Sequence, residues 1–427
     1  MIIHTVARGE SIYSIALQYG ASMAQIISDN QLPNPSQLVV GQTLVVQFPS
    51  HTHVVKPGET LSAIAASYGL DIRQLLRNNP ALQGRDQVYP GQTLVITYQG
   101  APEGSLAVSG YVYPFVDRNL LRRELPYLTL LMPFTYGITS SGGLVGLDDE
   151  ALISMAISGG VAPMMHLSTL TDEGGFSNEL ASAVLNDLPV REKLIEAVLQ
   201  NILKKGYRGL DVDFEFVYPE DADAYAALIR AFSESLAPLG YPVIVALAPK
   251  TSANQPGLLY EGHNYKLLGE AADQVLLMTY EWGYTYSAPM AVAPLPNVRK
   301  VVEYAITEIP HEKIWLGIPN YGYDWRLPFV AGKSRATSIS NQYAVGLAWK
   351  YGAEIQYDDK AQVPWFRYFD EQGTEHEVWF EDARSIREKL ALVPEYGLFG
   401  AGYWNLMRPF PQNWRVLNAL YEIQNHS

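Results

Sequence analysis

The chain has 427 residues, of which 48% are hydrophobic and 17% charged, a composition typical of globular proteins with more than one folded unit. Its formal net charge of -14 disfavours a partner bound through phosphates, such as a nucleic acid. The absence of cysteine excludes disulfides, thiolate metal ligands and thiol nucleophiles, and the eight histidines include no His-x-x-x-His pair.

The first residues read Met-Ile-Ile-His-Thr-Val, without a basic segment or a continuous apolar stretch. We therefore expect no classical secretory signal peptide. No window reaches about 18 uninterrupted apolar residues, the length a membrane-spanning helix needs, so no membrane partner is predicted.

An internal repeat occupies the first hundred residues. His-Thr-Val-Ala-Arg-Gly-Glu-Ser-Ile at residues 4–12 returns as His-Val-Val-Lys-Pro-Gly-Glu-Thr-Leu at residues 53–61. Gly-Gln-Thr-Leu-Val at residues 41–45 returns unchanged at residues 91–95. A fixed-period repeat of this kind predicts two copies of one small module.

Each copy is predicted to fold as strand, helix, helix, strand. The hydroxyl and the acid of Gly-Glu-Ser/Thr suit a helix N-cap and first turn, and apolar residues follow at helical spacing. In the first copy we expect the second helix near residues 23–29 and the closing strand at residues 43–46.

This pattern resembles the LysM module, a βααβ unit that binds glycans containing N-acetylglucosamine. The likeness covers residues 2–48 and 52–98, and we assign residues 1–48 and 52–98 to two modules. The resemblance implies sugar contacts from the loops that flank the helices, with these candidates: Gly9, Ser11, Ile12, Gly58, Thr60 and Leu61. The glycines and the hydroxyls among these candidates also have a structural interpretation, as turn glycines and helix caps.

A segment with Pro, Gly and Ser at residues 99–106 is predicted to link the modules to a domain of residues 107–427. Eight apolar, β-rich runs lie in that domain, at residues 107–113, 128–135, 161–168, 209–216, 243–248, 274–280, 313–319 and 398–404. Amphipathic segments separate several of them, as a helix must when it returns the chain to the next parallel strand. We predict an α/β fold, a (β/α)8 TIM barrel with a small α+β insertion around residues 323–382.

The fourth run reads Gly-Leu-Asp-Val-Asp-Phe-Glu-Phe at residues 209–216. On a strand, Asp211, Asp213 and Glu215 share one face, about 7 Å between neighbours, and the apolar residues share the other. Carboxylates inside a barrel are costly unless paired, protonated or used, and mutual repulsion keeps one of them protonated. That state suits a general acid, and Glu215 lies at the strand end where barrel active sites form. The alternatives are an exposed acidic edge strand and a divalent-metal site.

In this context the run is similar to the Asp-x-x-Asp-x-Asp-x-Glu signature of glycoside hydrolase family 18, the chitinase-like enzymes, with Arg208 at the first Asp position. Leu-Met-Thr-Tyr-Glu at residues 277–281 resembles the family's strand-six Met-Thr-Tyr-Asp element, with Glu in place of Asp. Gly-Tyr-Trp-Asn at residues 402–405 is similar to its strand-eight tryptophan segment, and Pro-Asn-Tyr-Gly at residues 319–322 to its strand-seven turn.

The resemblance implies a retaining, substrate-assisted hydrolase whose nucleophile is the 2-acetamido group of the sugar. In such an enzyme Glu215 is the acid and base, Asp213 orients the acetamido group, Asp211 tunes Asp213, and Tyr280 hydrogen-bonds the acetamido oxygen. The implied substrate-binding residues are Trp404, Met278, Glu281, Trp282, Asn320, Tyr321 and Tyr136. No cofactor and no metal are expected, because the acetamido group takes the activating role, and His166 is predicted to line the barrel.

Two such modules before such a barrel resemble the bacterial spore cortex-lytic N-acetylglucosaminidases. The resemblance implies a peptidoglycan or other N-acetylglucosamine-containing glycan as partner, cleavage of β-1,4 bonds after N-acetylglucosamine, a spore coat or cortex location and a monomer. The alternatives are a chitinase or chito-oligosaccharide hydrolase, a non-catalytic glycan-binding coat protein, and a wall protein exported by a non-classical route.

Overall fold

The computed structural model describes residues 1–171 and 175–425. Its first unit comprises β1 (Ile2–Thr5), α1 (Ile12–Tyr19), α2 (Met23–Asn30) and β2 (Thr43–Val46). Strands β1 and β2 pair antiparallel. The predicted order of strand, helix, helix and strand is confirmed.

The second unit repeats this order with β3 (Pro49–Val54), α3 (Leu61–Ser67), α4 (Ile72–Asn78) and β4 (Thr93–Tyr98). Strands β3 and β4 pair antiparallel. Because α1 and α3 are short, each unit is stabilised mainly by the apolar face that its helices turn toward its two strands.

The remaining part of the chain alternates strands and helices. Its strands are β5 (Gly104–Val112), β6 (Leu130–Pro133), β7 (Gly137–Ile138), β8 (Leu144–Val145), β9 (Ala162–Pro163), β10 (Met165–Ser168), β11 (Leu210–Asp213), β12 (Val243–Leu247), β13 (Gln274–Leu277), β14 (Ile314–Pro319), β15 (Gly322–Arg326), β16 (Thr337–Ile339), β17 (Gln356–Asp358), β18 (Val363–Phe369), β19 (Glu375–Trp379), β20 (Gly400–Trp404) and β21 (Tyr421–Ile423). Its helices are α5 (Arg118–Glu124), α6 (Glu150–Ser158), α7 (Asn178–Asn186), α8 (Leu188–Lys205), α9 (Ala222–Leu236), α10 (Leu258–Glu261), α11 (Tyr265–Ala271), α12 (Leu295–Glu308), α13 (Asn341–Lys350), α14 (Ala383–Tyr396) and α15 (Pro411–Leu420).

A parallel barrel organises this part. Its strands follow the order β10-β11-β12-β13-β14-β20-β5-β6-β9, and β9 and β10 are two pieces of one barrel strand on either side of Met164. Each of the eight predicted runs therefore contains one barrel strand, which confirms the TIM barrel. β5 begins at Gly104, inside the segment predicted as a linker, and pairs there with β21.

Two apolar layers enclose the barrel sheet. The outer layer lies between the strands and the helices, and the side chains of Leu210, Val212 and Phe214 from the β11 segment pack in it. The inner layer fills the barrel with side chains such as Ile244 and Trp315. Because side chains alternate along a strand, the apolar residues of β11 face the helices and its acids face the interior.

The insertion between β14 and β20 is a five-stranded antiparallel sheet in the order β16-β15-β19-β18-β17, accompanied by α13. A small core of its own holds it together, and Val39 of the first N-terminal unit packs into that core. Across the described residues, no helix combines the length and apolar character needed to cross a bilayer.

Candidate active site

Three acids meet at the carboxyl end of β11. Asp211 and Asp213 are buried inside the barrel, and Glu215 is half-buried just beyond the last residue of the strand. β11 pairs with β10 on one side and β12 on the other, so the exposed-edge alternative is excluded. Among the described residues, no cluster of three or more potential ligands could hold a metal ion.

His166 on β10 contacts this acid cluster. Its Nε2 lies 3.6 Å from Oδ2 of Asp211 and 3.8 Å from Oδ2 of Asp213, and its Nδ1 lies 2.6 Å from Oγ1 of Thr135. Complete burial lowers the pKa of His166 to about 3, so the imidazole is neutral. His166 lines the barrel as predicted, although its contact with the acids was not anticipated.

Burial sets the protonation of the acids. Burial raises the pKa of Asp211 well above the usual value, although a hydrogen bond with the phenol of Tyr111 acts in the opposite direction. Burial also raises the pKa of Asp213. Burial, followed by repulsion from Asp213 and Glu281, raises the pKa of Glu215 well above the usual value. Glu215 therefore retains its proton into a range where an ordinary glutamate is ionised, as a general acid requires.

Tyr280 lies beside all of these acids. Burial raises the pKa of its phenol, and the carboxylates of Asp213, Glu215, Glu281 and Asp211 raise it further. The phenol is therefore an uncharged donor next to the acids. Met278, two residues earlier, packs against the apolar interior of the barrel.

Glu281 is held by two tyrosines of the strand-seven region. The hydroxyl of Tyr321 donates to Oε1 of Glu281, and that of Tyr323 lies 3.2 Å from Oε1 and 3.3 Å from Oε2. The backbone of Glu281 is left-handed, with φ of 66°, which is unusual for a residue with a side chain and typical of functional sites.

Trp404, at the end of β20, forms an aromatic floor. Its ring lies 5.0 Å from Phe134 and 5.4 Å from Tyr111, in edge-on geometry. A cavity of about 510 Å³ opens beside it, and its lining includes Tyr113, Phe115, Glu281, Tyr321, Trp404 and Arg408. An aromatic surface next to carboxylates and phenols is suited to a sugar ring, which has an apolar face and polar edges.

The structure places three predicted substrate-binding residues outside this cleft. Asn320 is buried, and its Nδ2 donates to the backbone carbonyls of Asn405 and Arg408, so it holds the loop after β20. Trp282 packs against the core between strands and helices. Tyr136 is in the same layer, where its hydroxyl donates to buried Asp149 at 2.5 Å.

The candidate glycan-binding residues of the two N-terminal units have structural roles. Gly9 and Gly58 occupy left-handed turns, with φ of 84° and 85°. The hydroxyls of Ser11 and Thr60 cap α1 and α3, and Ile12 and Leu61 direct their side chains into the unit cores. Glycan contact by these residues stays a prediction.

The residues at the site that the sequence reasoning missed include Tyr111, Tyr113, Phe115 and Arg408. Tyr111 faces the acids, and the alternating pattern of residues 107–113 could have identified it as inward-facing. Arg408 lies in a loop after β20, where no periodic pattern indicates the direction of a side chain.

The comparisons with known proteins agree with this geometry. The profile of Glycosyl hydrolases family 18 matches residues 164–408, and the LysM domain profile matches residues 4–47 and 53–97. The chain belongs to Glycosyl hydrolases family 18. As a member of family 18 it is a glycoside hydrolase, and its LysM domains make it a glycan-binding protein.

Some relatives of this family 18 enzyme are similar to it over nearly the whole chain. The "Cortical fragment-lytic enzyme" of Bacillus subtilis (strain 168) is 42% identical and covers 99% of each chain. The crystal structure of the Bacillus megaterium QM B1551 spore cortex-lytic enzyme SleL is 38% identical, with a TM-score of 0.85 over 100% of this chain and 99% of that chain. A chitinase structure from Chromobacterium violaceum ATCC 12472 is 26% identical, with a TM-score of 0.68 over 74% of this chain and 98% of the other.

Proposed function

We propose that this family 18 enzyme hydrolyses spore cortex peptidoglycan at the β-1,4 bond on the reducing side of N-acetylglucosamine, by a retaining, substrate-assisted mechanism. The observation that supports it most is the buried acid cluster beside Tyr280 and Glu281, and Glu281 lines one cavity together with Trp404. The two LysM domains and the full-length cortex-lytic relatives favour a wall glycan as substrate and a spore location.

In the first step, Glu215 gives its proton to the glycosidic oxygen as that bond breaks. The acetamido oxygen of the same sugar attacks the anomeric carbon and forms a cyclic oxazolinium ion. Asp213 accepts a hydrogen bond from the acetamido N–H and stabilises the positive charge, and the phenol of Tyr280 donates to the acetamido oxygen. Asp211 and neutral His166 keep Asp213 in a buried polar setting.

In the second step, Glu215 is a carboxylate and accepts a proton from water. The resulting hydroxide equivalent attacks the anomeric carbon from the face that the leaving group occupied, and the oxazolinium ring opens. Two inversions at the anomeric carbon retain its configuration. The raised pKa of Glu215 suits both roles, since one group must donate and then accept a proton.

The test compares the wild-type protein with Glu215→Gln, and with Glu220→Gln as a matched control because Glu220 is exposed five positions away. Purified cortex fragments are digested, the new reducing ends are reduced with borohydride, and the products are identified by mass spectrometry. We expect N-acetylglucosaminitol ends, a loss of at least about 100-fold in Glu215→Gln, and wild-type rates in Glu220→Gln. Muramic-type ends alone, or an active Glu215→Gln, contradicts the proposal.

A chitinase is the second candidate, favoured by the likeness to the Chromobacterium violaceum structure. The two candidate functions are distinguished by measuring kcat/KM on chito-oligosaccharides and on peptidoglycan oligosaccharides of equal length. A higher kcat/KM on peptidoglycan fragments supports the proposal, and cleavage of chito-oligosaccharides alone assigns the chitinase activity instead.

A further inference from the structure

Arg408 is a cation in a cleft whose other charged groups are acids. It lines the cavity beside Trp404 together with Glu281 and Tyr321. Its Nη1 donates to Oγ of Ser338 at 2.9 Å and its Nη2 to the carbonyl oxygen of Ser338 at 3.3 Å, both uncharged acceptors. Within the described part of the chain, Arg408 forms no ion pair with a carboxylate, and the ion pairs that contain an arginine involve other arginines.

The position of Arg408 is fixed by its backbone. Its carbonyl accepts a hydrogen bond of 2.9 Å from Nδ2 of Asn320, a side chain that is only 2% exposed. Partial burial lowers the pKa of Arg408, and the groups that oppose this are the phenols of Tyr323 and Tyr321 and no carboxylate. The guanidinium remains charged at neutral pH, with donors that Ser338 does not occupy.

An unpaired, partly desolvated guanidinium is suited to a carboxylate, which it can bind through two parallel hydrogen bonds. Chitin carries no charged group. Peptidoglycan alternates N-acetylglucosamine with muramic residues, whose 3-O-lactyl group ends in a carboxylate, continues into a peptide that does, or is closed onto the ring as an uncharged lactam. When N-acetylglucosamine rests on Trp404, the sugar on either side of it is therefore a muramic residue.

We propose that Arg408 is a specificity-determining residue that binds the carboxylate of the 3-O-substituent on the muramic residue next to the N-acetylglucosamine at Trp404. The inference rests on the proposed function and adds to it the group by which this enzyme selects peptidoglycan strands. Arg408 takes no part in proton transfer, so its contribution depends on the charge of the substrate.

Four oligosaccharides of equal length test this. Two are peptidoglycan fragments, one with free lactyl carboxylates and one with a single L-alanine on each lactyl group. The third has its lactyl carboxylates converted to neutral N-methylamides, and the fourth is a chito-oligosaccharide. The kcat/KM of the wild type, Arg408→Gln, Arg408→Lys and Arg326→Gln is measured on each; Arg326 is an exposed arginine of the insertion sheet that contacts Thr374.

We expect the wild type to prefer a carboxylate substrate over the N-methylamide by about 10-fold or more, in line with charge-assisted hydrogen bonds. Arg408→Gln reduces this ratio toward one, Arg408→Lys retains part of it, and Arg326→Gln keeps it. A larger effect on the lactyl than on the L-alanine fragment assigns the lactyl carboxylate, and the reverse assigns the peptide carboxylate. Because each ratio is taken within one variant, differences in folded fraction cancel.

Two results overturn the inference while leaving the proposed function intact. One is a wild type that cleaves the peptidoglycan fragments with a ratio near one, and the other is an Arg408→Gln variant that keeps the wild-type ratio. If the wild type cleaves the chito-oligosaccharide and none of the peptidoglycan fragments, the proposed function fails and the inference fails with it.

Discussion

Glu215 is positioned through the backbone of the residue before it. Nε2 of His263 lies 2.9 Å from the carbonyl oxygen of Phe214, and its Nδ1 accepts from the N–H of Ala248 at 3.0 Å. Because Nδ1 is an acceptor, Nε2 carries the proton, and burial lowers the pKa of His263 to about 4, so the ring is neutral. A buried imidazole thus joins the ends of β11 and β12 directly behind the proposed acid.

Glu281 contributes to the raised pKa of Glu215, after burial and Asp213, and this contribution can be measured. Its charge is one of the two that raise the pKa of Glu215, so removing it lowers that pKa. The alkaline limb of kcat/KM reports loss of the proton from Glu215, and we expect Glu281→Gln to shift this limb to lower pH. The shift should be less than about one pH unit, since Glu281 is exposed to solvent in the cleft.

Glutamine keeps an acceptor for the hydroxyls of Tyr321 and Tyr323, so the local geometry is retained. Profiles of kcat/KM against pH for the wild type and Glu281→Gln are compared with that of Glu220→Gln, which changes an exposed acid outside the cleft. An alkaline limb that stays in place, or that moves to higher pH, contradicts the assignment of that limb to Glu215.

At the scale of elements, alternation along strands predicted the acid face of β11, because inward and outward positions differ in polarity there. Tyr136 lies outside the reach of this rule, because β6 ends at Pro133. Phe134 and Thr135 both face the interior, where Phe134 contacts Trp404 and the hydroxyl of Thr135 meets His166, and the next side chain points outward to the helices. A family motif identifies a segment, and only the surrounding structure determines where each side chain of that segment points.

Loops were the least predictable elements for a related reason. The backbone of Phe216 is left-handed with φ of 49°, so the period-two pattern of residues 209–216 ends before that run does. The side chain of Asn320 hydrogen-bonds the backbone of the loop after β20, at Asn405 and Arg408, which lie 85 and 88 residues later in the sequence. No local sequence pattern encodes a contact over that distance. The barrel and its acid face could thus be predicted, as could Glu281, Tyr321 and Trp404 of the cleft, whereas Arg408 in the loop after β20 could not.

Gly317 on β14 provides the space for Tyr280. A Cβ at this position would lie 2.9 Å from Cε1 of Tyr280 and 2.2 Å from the carbonyl oxygen of Leu277. We expect Gly317→Ala to displace Tyr280, reduce kcat by about 10-fold or more and lower the stability by about 1 to 3 kcal/mol. Gly346→Ala in α13 is the control, because a Cβ there meets nothing within 4 Å. If thermal unfolding and kcat of Gly317→Ala match those of the control, the space is not required.

At the scale of the whole molecule, the two LysM domains have the same fold and different surroundings. Val39 of the first is buried in the core of the insertion, whereas Tyr89, its counterpart in the second, is 60% exposed. The N–H of Ile355 donates to the carbonyl of Val40 at 2.9 Å, and Arg77 of the second domain donates to the carbonyl of Pro126 at 2.8 Å. The first domain is therefore packed on the insertion and the second on the barrel domain, and neither is merely tethered.

Arg415 of α15 joins all three parts. It is 1% exposed, its Nη1 lies 3.6 Å from Oδ1 of buried Asp29 in the first LysM domain, and its Nη2 donates to the carbonyl of Arg77 in the second and to the hydroxyl of Tyr127. Removing one partner of a buried pair leaves an uncompensated charge, which costs more than the pair itself contributes.

We expect Arg415→Met to lower the free energy of unfolding by about 3 to 5 kcal/mol, measured by urea denaturation followed by circular dichroism. Arg387→Met is the control, since the exposed pair of Arg387 with Glu388 contributes less than about 1 kcal/mol. Adding Asp29→Asn to Arg415→Met should recover part of the loss, because the amide no longer places a charge in the interface. If Arg415→Met unfolds at the urea concentration of the control, the interface does not depend on this arginine.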